Sequence, residues 1–331
     1  MKQKDVILRA YLSDSERYAD LWNAYLGKEM FEAQELEVMD AVGIQKGDRG
    51  ARGRRIEHDL LKKHKKRERI CFLGVENQEK VDYRMVLRSA GYTLETFNRQ
   101  LKELEAMHLK NKDMEGDEYL SRMKKTDRLY PVIILVLYFG REPWDGTKNL
   151  KELLKQENYP EEFRDIVPDY SMNLLEIQRF EHLERFQTDL YLVFGFLQRR
   201  WDKEQLREFI EKNKERFQDL REDAYDVIQA YGKVSALKKI KEVCRTETGG
   251  YDMCQAWNEI MEEERMKGKE MGLRLGEKKG ERRGEKRGEK RGEERMGRLI
   301  EILAEQKDLE TLQKAAKNRT YRKKLYKELG I

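Results

Sequence analysis

The chain has 331 residues, of which 38% are hydrophobic and 40% charged, and carries a formal net charge of +5. That length suits one large or two ordinary domains, and so high a charge content leaves a core only if part of the chain stays outside it. The longest apolar run, 131–140, is too short to cross a bilayer. The charged N-terminus does not read as a signal peptide. Cys71, Cys244 and Cys254 form neither a disulfide framework nor a close metal spacing, which fits a reducing cytoplasm.

Residues 1 to about 40 are predicted helical. Leu12-Ser13-Asp14-Ser15 supplies a capped start, and Tyr18, Leu21, Trp22, Tyr25 and Leu26 recur at spacings of three and four. Residues 43–53 read as a glycine-and-charge loop, and 54–63 as either a short strand or a helical turn. Residues 69–78 are β-rich without a helical period, which predicts a strand, with 63–68 as the hairpin turn before it. Residues 81–109 predict the clearest helix, with Val86, Ala90, Leu94, Phe97, Leu101, Leu104 and Met107 or His108 on its apolar stripe. Residues 111–127 are polar and loop-like. Tyr130 to Phe139 is continuous and β-branched, which predicts a buried central strand, and GREPWDG then breaks the chain. This order makes residues 1–148 an α/β core.

Residues 149–262 predict a helical extension anchored by Phe186, Tyr191, Phe194, Phe196 and Trp201. Within 263–298, glycine recurs every four residues from Gly268 to Gly292. Each costs a helix about 1 kcal/mol relative to alanine, and like charges fall at i,i+4. This tail is therefore either a flexible linker or a helix that a partner strand or nucleic acid fixes. Residues 299–331 close the chain as a short helical segment. Charge is concentrated in two places: 11 Lys/Arg against 4 Asp/Glu over Gln45–Arg69, and 14 against 7 over Arg265–Arg298. Such patches on an otherwise acidic chain are either anion sites or solvated charge runs.

The stretch GVENQ, Gly74 to Gln78, closes the predicted strand with an acid and two amides. Glu76 and Gln78 share one strand face, and Asn77 points the other way. Asp59 precedes Glu76 by 17 residues, which suits a hairpin placing both carboxylates at neighbouring positions. Two close carboxylates repel unless a cation lies between them. Oxygen donors of this kind suit Mg²⁺, which lowers the pKa of a bound water and stabilises charge on a reacting phosphate. The basic patch flanks Asp59, with Arg54 and Arg55 before it and Lys62 and Lys63 after it, and suits a phosphate backbone. Arg84 and Arg88 open the next helix and either reach phosphate or pack along the helix face. His58 and His64 lack metal-ligand spacing. From residue types alone, a strand-end acid is equally a solvated cap.

An Asp, then E-x-Q on the next strand, then a long helix and an apolar strand resembles the PD-(D/E)xK nuclease superfamily. More narrowly, the chain resembles the Rpn family of recombination-promoting nucleases and transposase-like proteins. The stretches that carry this are KDVILRAYLSDSERYADLWNAYL, RRIEHDLLKKHKKRERICFLGVENQ, VDYRMVLRSAGY, YPVIILVLYFG and PWDG, in order over roughly residues 4–200. The resemblance implies a restriction-endonuclease-like core, a central mixed sheet flanked by helices. It implies Asp59 as the first acidic metal ligand, Glu76 as the second, and the backbone carbonyl of Asn77 as a further one. Gln78 stands where the wider superfamily has lysine. Glutamine orients water but brings no charge, so offsetting the developing charge would fall to Lys62 or Lys63.

The expected function is a Mg²⁺-dependent DNA endonuclease, with Mn²⁺ or another divalent cation as a substitute, linked to recombination or mobile elements. The alternative is a catalytically degenerate protein of the same fold that binds DNA or assembles through its tail. DNA is the expected partner, no membrane is, and a homo-oligomer through the tail is compatible with either reading. The expected location is the cytoplasm, on the nucleoid when DNA is bound.

Overall fold

The computed structural model describes residues 3–39, 42–44, 55–57, 60–66, 69–155, 157–232, 234 and 236–331, with 42–44, 55–57 and 69 described as backbone. The chain divides into two units, Met1–Trp257 and Asn258–Ile331.

The first unit opens with α1 (Gln3–Leu12) and α2 (Ser15–Leu26). The Asp14 carboxylate caps α2 by accepting from the amides of Glu16 and Arg17. Gly27 ends α2 at φ +65°, a left-handed turn that glycine adopts without strain. The helical prediction for residues up to 40 therefore stops at Gly27, and a strand follows. The strands are β1 (Leu36–Val38), β2 (Val42–Ile44), β3 (Arg55–Glu57), β4 (Leu60–Lys66) and β5 (Arg69–Gln78). The described residues of the ambiguous stretch 54–63 are thus strand, and β4 continues to Lys66 through residues predicted as a turn. Next come α3 (Met85–Asn111), α4 (Gly116–Ser121, in a stretch predicted as loop) and β6 (Val132–Tyr138). They are followed by α5 (Leu150–Leu153), α6 (Glu161–Ile166) and β7 (Asn173–Glu176).

The main sheet has five strands in the order β1-β4-β5-β6-β7, and β2 and β3 form a separate antiparallel pair. β1, β4 and β5 run antiparallel to one another in sequence, while β5, β6 and β7 are parallel. The continuous prediction of helix over 149–262 is corrected by β7, which pairs with β6 from Leu135↔Asn173 to Tyr138↔Glu176. The helices α7 (Leu190–Arg199), α8 (Lys203–Lys212), α9 (Lys214–Phe217), α10 (Glu222–Tyr231) and α11 (Leu237–Ile240) complete the unit. Phe186, Phe194 and Phe196 are buried, as expected of anchors, whereas Trp201 is exposed.

Both faces of the sheet are covered, which is why β5 and β6 read as near-continuous apolar runs. On one face, Met85, Val86 and Tyr92 of α3 pack on Ile134, Val136 and Tyr138 of β6. On the other, α2 lies close enough for the Tyr18 hydroxyl to donate to the Leu73 carbonyl at 2.6 Å. The buried stripe of α3 is not the apolar one. It comprises Met85, Val86, Ser89, Tyr92, Thr93, Thr96, Gln100 and His108, while Leu87 and Leu94 are exposed. The helix is turned by about one residue, roughly 100°, from the predicted phase. Most of its buried polar groups have partners: Thr93 Oγ1 meets the Tyr170 hydroxyl at 3.0 Å, Thr96 Oγ1 donates to the Tyr92 carbonyl, and the Gln100 amide brackets the backbone of Tyr130, while the Ser89 hydroxyl has none among the described residues.

A buried ion cluster ties the N-terminal helices to the C-terminal ones. Arg17, 2% exposed, donates to both Asp189 oxygens at 2.6 Å and to Asp223 at 2.5 and 2.9 Å. Its guanidinium lies 4.0 Å from the centre of the Tyr11 ring, and the Tyr11 hydroxyl donates to Asp189. Asp189 and Asp223 sit at the starts of α7 and α10, where carboxylates also suit the helix dipole.

α12 (Met253–Glu305) begins in the first unit and makes up most of the second, followed by α13 (Leu309–Lys317) and α14 (Arg319–Glu328). The glycine-periodic tail is therefore helix rather than linker. Leu299, Leu303, Ala315 and Leu325 form the small core of this unit. A Cβ added at Gly276, Gly280, Gly284 or Gly288 would meet nothing within 4 Å. Replacing these four with alanine should strengthen the helix by about 1 kcal/mol per site. Circular dichroism melting of the full chain checks this, and unchanged helicity and melting would contradict a helix through the repeat. Among the described residues, no helix is long and apolar enough to cross a membrane.

Candidate active site

The apolar run of β5 is buried on both faces and ends in Glu76, Asn77 and Gln78, paired in parallel with Val136, Leu137 and Tyr138 of β6. Strand alternation turns Glu76 and Gln78 toward α3. Glu76 is 2% exposed. Gln78 is half-buried. The chain then reverses through residues 79–84, and α3 begins beside the strand end. Open α/β sheets place ligand sites at this position, outside the carboxyl ends of parallel strands.

Arg88, in the first turn of α3, reaches Glu76 Oε2 at 3.2 Å and Asp82 Oδ2 at 3.0 Å. It also donates to the Tyr92 hydroxyl, one turn further on, at 2.8 and 3.2 Å. That hydroxyl in turn bonds to Glu76. Burial lowers the Arg88 pKa, but Glu76 and the bonds to Tyr92 and Asp82 outweigh it and hold the guanidinium above its ordinary value. Burial and then Glu76 push the Tyr92 phenol up. Burial raises the Asp82 carboxyl, but bonds from the Arg84 amide and the Arg88 guanidinium hold it below its ordinary value. The result is a buried carboxylate with a charged, partly exposed guanidinium beside it.

The other candidates fall in different places. Asp59, Arg54 and His58 lie outside the described residues, as do the side chains of Arg55 and Glu57. The described part of β4 begins at Leu60, which pairs with Val75, the neighbour of Glu76. Arg84 is 78% exposed and bonds to Asp82. Lys63 pairs with Phe72 and lies over its ring. Glu76 lies four residue steps along the strand from Phe72, roughly 13 Å. His64 is buried against Phe31 and bonds to Glu35.

Lys62 corrects an expectation. It pairs with Leu73, an odd number of residues from Glu76, and so points from the opposite face of the sheet. Its ammonium is buried and donates to the Ser13 carbonyl at 2.7 Å and Ser15 Oγ at 2.9 Å. It can neither meet a phosphate at the surface nor offset charge beside Glu76. Burial, partly opposed by Asp14, pushes its pKa down to about 8, against about 10.4 for a free lysine. Below pH 8 the ammonium is charged in both states and its burial costs the fold. Between about pH 8 and 10.4 the folded protein loses the proton first and that cost disappears. Wild type should therefore gain stability relative to Lys62→Met between pH 7 and pH 10 in urea unfolding. A difference that stays constant across this range would refute the assignment.

Sequence reasoning missed Asp82 and Tyr92. Their signal was an acid just before the helix and an Arg/Tyr pair at i,i+4 in its first turns. A cavity of about 630 Å³ elsewhere is lined by Asp20, Asn23, Phe31 and Arg185 among others. Asp20 there is occupied by the amides of Gln187 and Thr188 and the Thr188 hydroxyl. Among the described residues, no group of three or more His, Cys, Asp or Glu could hold a metal ion. The donors at the β5 end are oxygens, a set that fits Mg²⁺ rather than a softer metal, and the described residues supply one carboxylate of it at that strand end.

A five-stranded mixed sheet with a helical crossover and a buried acid at a parallel strand end defines an α/β protein with one polar cluster at the expected ligand position. The chain belongs to the family described as putative transposase, YhgA-like, whose model matches residues 2–227. Comparison with curated proteins and with solved structures finds no match.

Proposed function

We propose that this protein is a metal-dependent DNA endonuclease with a restriction-endonuclease-like core, acting in recombination or on mobile elements. The observation that carries the reading is the buried Glu76 at the end of β5, with Leu60 opposite Val75. Asp59 immediately precedes Leu60 in the sequence. Family membership supports action on DNA. In this reading Asp59, Glu76 and the Asn77 carbonyl hold Mg²⁺, or Mn²⁺ in its place. The ion supplies Lewis-acid stabilisation and a more acidic water. Gln78, on the face of Glu76, orients the attacking water through its amide. Arg88 takes the charge-offsetting role once expected of Lys62 or Lys63, since its guanidinium already lies at the carboxylate and is partly open to solvent. The protein then acts in the cytoplasm, on the nucleoid when bound to DNA.

One observation favours a second reading, DNA binding without cleavage: Arg88 is itself a counter-ion for Glu76, and Gln78 adds no charge. A homo-oligomer through the tail is compatible with both. The deciding experiment is nicking of supercoiled plasmid with Mg²⁺, Mn²⁺ or EDTA, using wild type beside Asp59 and Glu76 variants. Metal-dependent nicking lost in the variants supports the first reading. Salt-sensitive binding with no nicking under any condition supports the second.

A further inference from the structure

The cap of the second unit carries charge that its own structure does not balance. α14 buries Leu325 against Leu299, Leu303 and Ala315, with Tyr321 and Leu329 packed alongside. This fixes the helix's orientation. At about 100° per residue, Arg319, Thr320, Lys323, Lys324 and Lys327 fall on the side away from Leu325, and all five are exposed. Arg322 is not among them: its guanidinium donates to the carbonyls of Ala315 and Ala316 at the end of α13. Lys324 has Glu328 at 3.5 Å. Among the described residues, no ion pair engages Arg319, Lys323 or Lys327.

These three stand at i, i+4 and i+8, so like charges stack in one row, which destabilises a helix. α12 also carries like charges at i,i+4, but its repeat sets opposite charges three apart as well, as at Lys278 and Glu281. It carries the pairs Arg265–Glu262 and Lys267–Glu263, and Glu277, Glu281, Glu285 and Glu289 recur among its Lys and Arg. A bound polyanion would remove the repulsion on α14. The geometry points to the outward face of α14 as a surface that binds the phosphate backbone of duplex DNA, apart from the polar cluster at Glu76. The apolar side chains of α14 are turned into the cap, so it has no face to sink into a bilayer. No aromatic ring stands on the outward row to stack unpaired bases, which favours a duplex over a single strand. The surface does not depend on cleavage at Glu76.

The test uses the full chain and a labelled DNA duplex in EDTA, with anisotropy read from about 50 to 200 mM salt. Lys323→Gln/Lys324→Gln/Lys327→Gln should flatten the dependence of log K on log salt by about two to three. The control Lys278→Gln/Lys286→Gln/Lys290→Gln, which removes equal charge from α12, should flatten it by less than about one. An α14 variant with wild-type slope and affinity would overturn the proposal. So would an equal loss in the control, which would mean diffuse charge attraction. Binding by α14 to phosphatidylserine vesicles with no effect on DNA would overturn it in favour of a membrane.

Discussion

Replacing Glu76 with glutamine should reduce Mg²⁺-dependent nicking of supercoiled plasmid by on the order of 100-fold or more. The substitution keeps the volume of a fully enclosed side chain and removes its charge. The carboxylate is 2% exposed and lies 3.2 Å from Arg88. The glutamine carbonyl can still accept from Arg88, and the fold should persist. Duplex binding in EDTA should therefore survive, which separates loss of chemistry from loss of the site. A variant that nicks at the wild-type rate would remove Glu76 from the reaction.

Replacing Arg17 with alanine should have the largest effect on stability, a loss of about 3 kcal/mol. Breaking a buried ion pair from one side costs about 3–5 kcal/mol because the other side keeps its charge. The low end applies because Asp189 and Asp223 are 18% and 36% exposed and so retain some hydration. Burial raises the Asp223 carboxyl, but Arg17 outweighs it and holds the group below its ordinary value. This contribution is present at neutral pH and is lost as acid protonates Asp223. Urea unfolding at pH 7 measures the cost, and the gap between wild type and variant should narrow as pH falls below about 4. A loss under about 1 kcal/mol at pH 7 would mean that the cluster behaves like a surface pair.

What the sequence revealed follows from what is local. β5, β6 and α2 were legible because apolar runs, periodicity and a capping Asp act within a few residues. The phase of α3 was not, since its buried face carries Ser89, Thr93, Thr96 and Gln100, and the partners of Thr93 and Gln100, Tyr170 and Tyr130, are distant in sequence. β1 and β7 are three- and four-residue strands that exist through pairing with β4 and β6, and no local signal distinguishes them from coil. At the site, the parity of β5 correctly put Glu76 and Gln78 on one face. The same parity, carried across to β4 by the register, takes Lys62 away from them. Arg88 was visible as a cation at a helix start, but its contact with Glu76 depends on how the chain turns between residues 79 and 84.

The two halves of the Glu76–Arg88 pair rest on supports of unequal stiffness. β5 is laced to β4 as far as Val75 and to β6 as far as Gln78, so shifting the carboxylate means tearing the middle of the sheet. Arg88 rides on the opening turn of a helix, where the backbone is only partly tied and excursions are cheapest. The acid is therefore the fixed datum of the cluster and the guanidinium its movable arm. Any rearrangement that admits a phosphate should be read in the rotamer of Arg88 and the first turn of α3, while β5 stays still.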